Sequence, residues 1–96
     1  MKKESEFEIE YSEYALEFLK KTDRQLKERI VKKIEYLAIN FDKLTHFPLS
    51  HEASDFFKLR IGKYRVVYTV DWKSNKLKIA LIDRRAKIYK LLKYRI

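Results

Sequence analysis

The chain has 96 residues, 46% hydrophobic and 15% aromatic, and its 23 Lys/Arg against 14 Asp/Glu give a net charge of +9. That length holds one domain with one modest core, residues 1–96 together, and the apolar share excludes a disordered chain. The absence of cysteine excludes a disulfide framework and a thiolate metal site. The start MKKESEFEIE lacks a signal-peptide core and no run reaches transmembrane length, so a cytoplasmic location with no membrane partner is expected.

In chain order, EFEIEY (residues 6–11) alternates acidic with apolar residues and predicts a half-buried strand. Ser12 then caps a helix, SEYALEFLKKT, with Tyr14, Ala15, Phe18 and Leu19 on one stripe. A second helix begins near Asp23 and places Leu26, Ile30, Ile34, Leu37 and Phe41 at steps of three or four, completing an antiparallel helical hairpin. The periodicity fades from Phe41 to about Ser54, where Pro48 marks a connecting loop. Three strands follow, DFFKLRI, KYRVVYTVDW and KLKIALID, joined at Gly62 and at KSN, residues 73–75. The tail RAKIYKLLKYRI reads either as a short basic helix with Ile88, Leu91 and Leu92 inward or as a continuing strand.

Strand parity separates two faces. Phe57, Leu59 and Ile61, then Tyr64, Val66, Tyr68 and Val70, then Leu77, Ile79 and Leu81 share the face that packs on the helices. Lys58 and Arg60, then Arg65, Val67 and Thr69, then Lys78, Ala80, Ile82 and Arg84 take the other. The fold class expected is α+β: an N-terminal strand and two-helix hairpin on one face of a four-stranded, mainly antiparallel sheet, with a short basic C-terminal segment. The second face is expected to be open and cationic.

Charge supports that polarity. Residues 1–53 hold 10 Lys/Arg against 11 Asp/Glu, whereas residues 54–96 hold 13 against 3. Such a field favours a polyanion, with RNA or DNA the leading class and an anionic membrane or acidic protein the alternatives. Like charges on neighbouring strands repel by a few tenths of a kcal/mol each, and a bound anion relieves them. Arginine suits this role because its planar fork grips phosphate through two parallel hydrogen bonds.

The run FFKLRIGKYRVVYTVDWKSNKLKIALIDRRAKIYK resembles the C-terminal half of RelE/ParE-superfamily toxins: a strand with L-R, a Gly turn, Y-R-hydrophobic-hydrophobic-Y, a strand, and an Arg-rich segment closing with Tyr. The preceding strand and helices agree with the family's order. Within the superfamily the chain looks most similar to archaeal RelE, at YRVVYTVDWK and the later IYK. The resemblance implies a RelE-like fold and a ribosome-dependent endoribonuclease, the toxin of a type II toxin–antitoxin pair. It would cut mRNA in the ribosomal A site by 2′-OH attack, with no cofactor and no metal. The implied partners are the ribosome, mRNA and a RelB-like antitoxin, in a heterodimer or heterotetramer.

Carried over by position, the resemblance implies that Arg65 binds the phosphate, Arg85 is the general acid or leaving-oxygen stabiliser, Tyr89 stacks or shares in proton transfer, and Lys58 contacts phosphate and helps activate the 2′-OH. Arg60, Lys63, Lys78 and Arg84 complete the RNA-binding set. Two positions depart from the pattern: Phe56 stands where bacterial RelE has lysine, and Arg84 where many relatives have histidine. Tyr, Lys and Arg ionise near pH 10 or above, so proton transfer at neutral pH needs help from the surrounding field.

The structural alternatives are concrete. Arg65 could instead pair with Asp71 or Asp83, and Tyr89 could simply pack the terminal segment. His46 and His51 have a suitable pKa for acid/base work but lie in the loop around Pro48, where loop packing is the expected role. Trp72 is expected to pack a turn, with base stacking the alternative. The stripe Leu26, Ile30, Ile34 and Leu37 is core whose edges can form an antitoxin groove. Two other functions stay open: a ParE-like inhibitor of DNA gyrase, and an RNA- or ribosome-binding module of the same fold without chemistry.

Overall fold

The computed structural model describes residues 7–51 and 54–95. Strand β1 (Glu8–Tyr11) leads to helix α1 (Glu13–Lys21) and, after Thr22 and Asp23, to helix α2 (Arg24–Ile39). A 3-10 turn (Phe41–Lys43) and strand β2 (Phe47–Pro48) precede β3 (Phe57–Ile61), β4 (Tyr64–Asp71), β5 (Lys76–Arg84) and helix α3 (Arg85–Arg95). Glu6 of the expected first strand lies outside the described residues.

Both early helices start where a side chain satisfies an otherwise orphaned amide. Ser12 Oγ accepts from the Ala15 N–H at 3.1 Å, and Asp23 Oδ1 accepts from the Leu26 N–H at 2.9 Å. Lys20 and Lys21 lie in the last turn of α1, where the helix dipole favours cations. Ala15 and Leu19 of α1 and Ile30, Ile34 and Leu37 of α2 are buried against Ile61, Val66, Tyr68, Leu77, Ile79 and Ile82 of the sheet. Each buried aliphatic side chain stabilises this layer by about 1.5–3 kcal/mol.

The sheet has the order β1-β5-β4-β3-β2, with β1 parallel to β5 and the other pairs antiparallel. Among the described residues it therefore has five strands rather than the expected four. The extra one is the two-residue β2 within the expected loop, where Phe47 pairs with Lys58 and Pro48 with Phe57. Proline is tolerated there because β2 is an edge and needs no further ladder donor.

A β-bulge corrects the strand parity. Val67 pairs with Leu81 and Tyr68 with Ile79, which leaves Ala80 without a partner in the ladder. The extra residue reverses the in/out phase of everything after it. Ile82 thus joins the helix-side core and Leu81 the opposite face, the reverse of strict alternation from Leu77. Ser12 holds the bulge in place: its hydroxyl donates to the Ala80 carbonyl at 2.6 Å, and its N–H donates to the Ile79 carbonyl at 2.9 Å.

The second face is also not wholly open. The terminal segment is a helix, and Ile88 of α3 is buried with Leu49, Val67 and Leu81, while Leu91 and Leu92 pack alongside. This small second core leaves the cationic surface beside α3 rather than beneath it.

Candidate active site

The cations converge at the β3–β4 hairpin. Gly62 and Lys63 form its two-residue turn, because Ile61 pairs with Tyr64. Gly62 has φ +58°, which a glycine adopts without strain, and a Cβ there would lie 3.2 Å from Nη2 of Arg29. Arg29 of α2 thus adds a cation to the hairpin tip that strand patterning did not single out.

Arg60 and Arg65 sit directly opposite one another in the β3–β4 ladder, so their side chains leave the same face. Arg65 is only 8% exposed, and its Nη1 donates to the Gly62 carbonyl at 2.9 Å and the Tyr64 carbonyl at 2.8 Å. Among the described residues, Nε and Nη2 have no protein acceptor, and no buried side-chain nitrogen or oxygen lacks one. The two free nitrogens therefore reach solvent, oriented by the anchored half of the group.

Burial lowers the Arg65 pKa from its ordinary value, and the Arg60 and Arg85 charges push it the same way, against a smaller opposing effect of Tyr89. The charged guanidinium thus sits in a field that disfavours it. The ion pairs among the described residues join Lys20 and Lys21 to Glu17, Arg24 to Glu28 and Lys76 to Glu10. None reaches Arg65, so the expected alternative of an ion pair with Asp71 or Asp83 does not form. Asp83 stands opposite Arg65 in the β4–β5 ladder, but its Oδ2 accepts from the Tyr14 hydroxyl at 2.5 Å. Asp71 turns to the β4–β5 turn, where it accepts from the Lys73 and Ser74 amides and its carboxyl is held below the ordinary value chiefly by Ser74.

Helix α3 brings the remaining residues to this point. The Arg85 N–H donates to the Lys63 carbonyl at 2.9 Å, tying the first turn of α3 to the hairpin. The Arg85 guanidinium lies 5.2 Å from the centre of the Tyr89 ring, a cation–π contact one helical turn apart. Lys58, Arg60 and Arg65 line one cleft of about 650 Å³ with Lys33, Phe47 and Tyr68. Lys33 and Phe47 lie outside the expected set. Only the fold brings them in, from α2 and from the short β2.

The expected residues therefore divide. Arg65, Arg60, Arg85 and Tyr89 interact directly or through their charges, and Lys58 shares the cleft. Lys63 supplies a turn carbonyl, with its exposed side chain at the rim. Lys78 pairs with Thr69 and with Glu10, farther along the sheet than the Val67–Leu81 row. The bulge places Arg84 opposite Tyr64, on the other side of the sheet from Arg65, which corrects its expected place on the cationic face.

His46 is a packing residue. Its Nε2 lies 2.8 Å from the Phe41 carbonyl and its Nδ1 2.8 Å from the Tyr68 hydroxyl, with the ring stacked on Phe41. Trp72 meets Phe7 and Phe41 edge-on, in agreement with the packing role expected of it. Among the described residues, no three His, Cys, Asp or Glu side chains gather in a possible metal site, and no helix is long and apolar enough to cross a membrane.

Residues 9–89 match the ParE toxin family, the ParE toxin of the type II toxin–antitoxin system parDE. No curated protein shows significant sequence similarity. Among solved structures, a doubly substituted RelE toxin of Escherichia coli in the free state superposes with a TM-score of 0.73 at 20% identity, covering 95% of this chain and 98% of that one. The RelBE2 toxin–antitoxin complex of Mycobacterium tuberculosis gives 0.71 at 22% identity, covering 83% and 99%. The archaeal RelE–RelB complex of Pyrococcus horikoshii gives 0.63 at 19%, covering 84% and 97%. At these identities the likeness establishes a RelE-like fold.

Proposed function

We propose, from the premise that this chain belongs to the ParE toxin family of type II toxin–antitoxin systems, that its cationic cleft cuts messenger RNA on the ribosome. The observation that carries this reading is the opposed Arg60–Arg65 pair beside Arg85, with two Arg65 nitrogens that, among the described residues, have no carboxylate or other acceptor bound to them. Such a site has standing positive potential aimed at one point, which is what a phosphorane-like transition state with extra negative charge requires.

In the proposed reaction the ribose 2′-oxygen attacks the adjacent phosphorus, a 2′-O–P bond forms and the P–O5′ bond breaks. The 2′-hydroxyl proton passes to solvent water, the 5′-oxygen takes one from water, and the products are a 2′,3′-cyclic phosphate and a 5′-hydroxyl. Arg60 and Arg65 hold the non-bridging oxygens. Lys58 eases loss of the 2′ proton, and Arg85, braced on the Tyr89 ring, stabilises the leaving oxygen. None of these steps needs a metal ion or cofactor. The ribosome supplies the geometry of the RNA strand, and its absence from free RNA accounts for the dependence on translation.

The solved relatives from M. tuberculosis and P. horikoshii are complexes with antitoxins. By analogy this toxin is held inactive by a RelB-like antitoxin of acidic or mixed charge, in a heterodimer or heterotetramer in the cytoplasm. A second reading, inhibition of DNA gyrase, is favoured by the family match itself, which is to ParE. Mapping 5′ ends on mRNA with and without ribosomes, alongside a gyrase supercoiling assay, separates the two. Cuts confined to A-site codons support the nuclease; loss of supercoiling without cuts supports the gyrase inhibitor.

A further inference from the structure

Phe47 is 59% exposed although the segment around it is firmly held. On one side His46 bonds to the Tyr68 hydroxyl and the Phe41 carbonyl. On the other, Leu49 is buried beside Ile88 of α3, and its N–H donates to the Phe56 carbonyl at 2.8 Å. Two anchored residues thus hold a large aromatic ring out in water.

A single exposed apolar side chain is ordinary; its surroundings make this one informative. Phe47 lies directly opposite Lys58 in the β2–β3 ladder, so the ring stands on the cationic face one strand away, about 4.8 Å to the side. It lines the same cleft as Lys33, Lys58, Arg60 and Arg65, with the exposed Tyr36 ring on the α2 side. A flat apolar surface beside a row of phosphate-binding cations fits a single-stranded nucleotide: the base stacks and the phosphate pairs.

We propose that Phe47 is a stacking platform for the base of the nucleotide whose phosphate is held by Lys58, Arg60 and Arg65. This rests on the nucleic-acid reading of the face and assigns to β2 the contact that depends on a base. Because every base has an apolar face, the platform selects for an unpaired, unstacked nucleotide more than for a particular letter. Lys58 and Arg65 then supply the salt-dependent part of the affinity.

The test uses the full chain and two non-cleavable five-nucleotide strands: 2′-O-methyl oligoadenylate and its fully abasic sugar-phosphate counterpart. The wild type is expected to bind the base-containing strand about tenfold tighter, the effect of stacking one base. Phe47→Ala should abolish that difference and leave abasic binding and the melting midpoint unchanged, whereas Phe47→Trp should retain it. Arg65→Gln should weaken both strands alike. A Phe47→Ala protein that keeps the preference for bases overturns the platform alone. Equal loss on both strands assigns the ring to the fold or to a protein interface. If the wild type binds neither strand, the nucleic-acid reading of the face falls, and the platform with it.

Discussion

The Tyr14 hydroxyl donates a 2.5 Å hydrogen bond to Asp83, the residue directly opposite Arg65 in the β4–β5 ladder. Helix α1 thereby occupies the carboxylate best placed to neutralise the buried arginine. We predict that Tyr14→Phe frees Asp83 to compete for Arg65 and weakens single-stranded RNA binding roughly three- to tenfold, the effect of one hydrogen-bonded contact. Adding Asp83→Asn should restore the affinity. Unchanged binding in Tyr14→Phe, or no rescue in the double variant, would show that Asp83 does not bear on the site.

Arg65 Nη1 donates to the Gly62 and Tyr64 carbonyls and, among the described residues, its other two nitrogens have no protein acceptor. In the proposed reaction Arg65 contacts the transition state, and loss of one such contact typically costs about 10²–10³-fold. The prediction is that Arg65→Ala lowers ribosome-dependent cleavage by about 10²-fold or more with an unchanged circular dichroism spectrum. Arg65→Lys should recover little, because an ammonium lacks the planar fork that bonds both the turn and the phosphate. A folded Arg65→Ala protein with wild-type cleavage removes Arg65 from the mechanism.

Tyr89 presents its ring to Arg85 at 5.2 Å. If bracing that cation is its main work, Tyr89→Phe keeps most single-turnover cleavage and Tyr89→Ala loses about fivefold or more, in line with a cation–π contact of about 1 kcal/mol. A Phe variant that falls as far as the Ala variant would instead assign the hydroxyl to proton transfer.

Stability at high pH is set in part by Tyr68. Burial pushes its phenol up to about 12, and its hydroxyl faces Nδ1 of His46. The Phe41 carbonyl can only accept, so His46 carries its proton on Nε2 and Nδ1 accepts from Tyr68. The native state keeps this phenol neutral where the unfolded chain ionises it, so the stability it contributes is intact below pH 10 and lost towards about 12. Tyr68→Phe should flatten that alkaline decline in urea-melt midpoints. At neutral pH it should cost about 1–3 kcal/mol, because it leaves the His46 acceptor unpaired. An unchanged pH profile would assign the decline to other tyrosines, such as Tyr11, whose pKa is also raised, first by burial and then by Glu35.

Much of the architecture was legible from local pattern. Ser12 and Asp23 announce helix starts because a short side-chain oxygen reaches a free amide within three residues. Gly62 marks the hairpin because its φ is positive. The opposition of Arg60 and Arg65 follows from a two-residue turn with period-two strands. The bulge at Ala80 was not legible, since Ile79, Ala80, Leu81 and Ile82 are four apolar residues in a row and carry no polar/apolar phase that marks where the register shifts. It exists because the Ser12 hydroxyl and amide grip the Ala80 and Ile79 carbonyls from 67 or more positions away, a contact that no local window contains.

The sequence by itself determined the first strand, the two early helices, the three later strands and the basic second half, because these depend on residue type and on neighbours a few positions apart. Tertiary structure alone decided which cations meet. The bulge turned Arg84 away from Arg65, the Lys63–Arg85 backbone bond seated α3 at the hairpin, and the Tyr14 hydroxyl engaged Asp83, the residue opposite Arg65 in the ladder. It also brought Phe47 and Lys33 into the cleft, from segments whose local patterns gave no sign of a shared surface. Each of these is a contact between distant positions, fixed by the packing of helices on a twisted sheet.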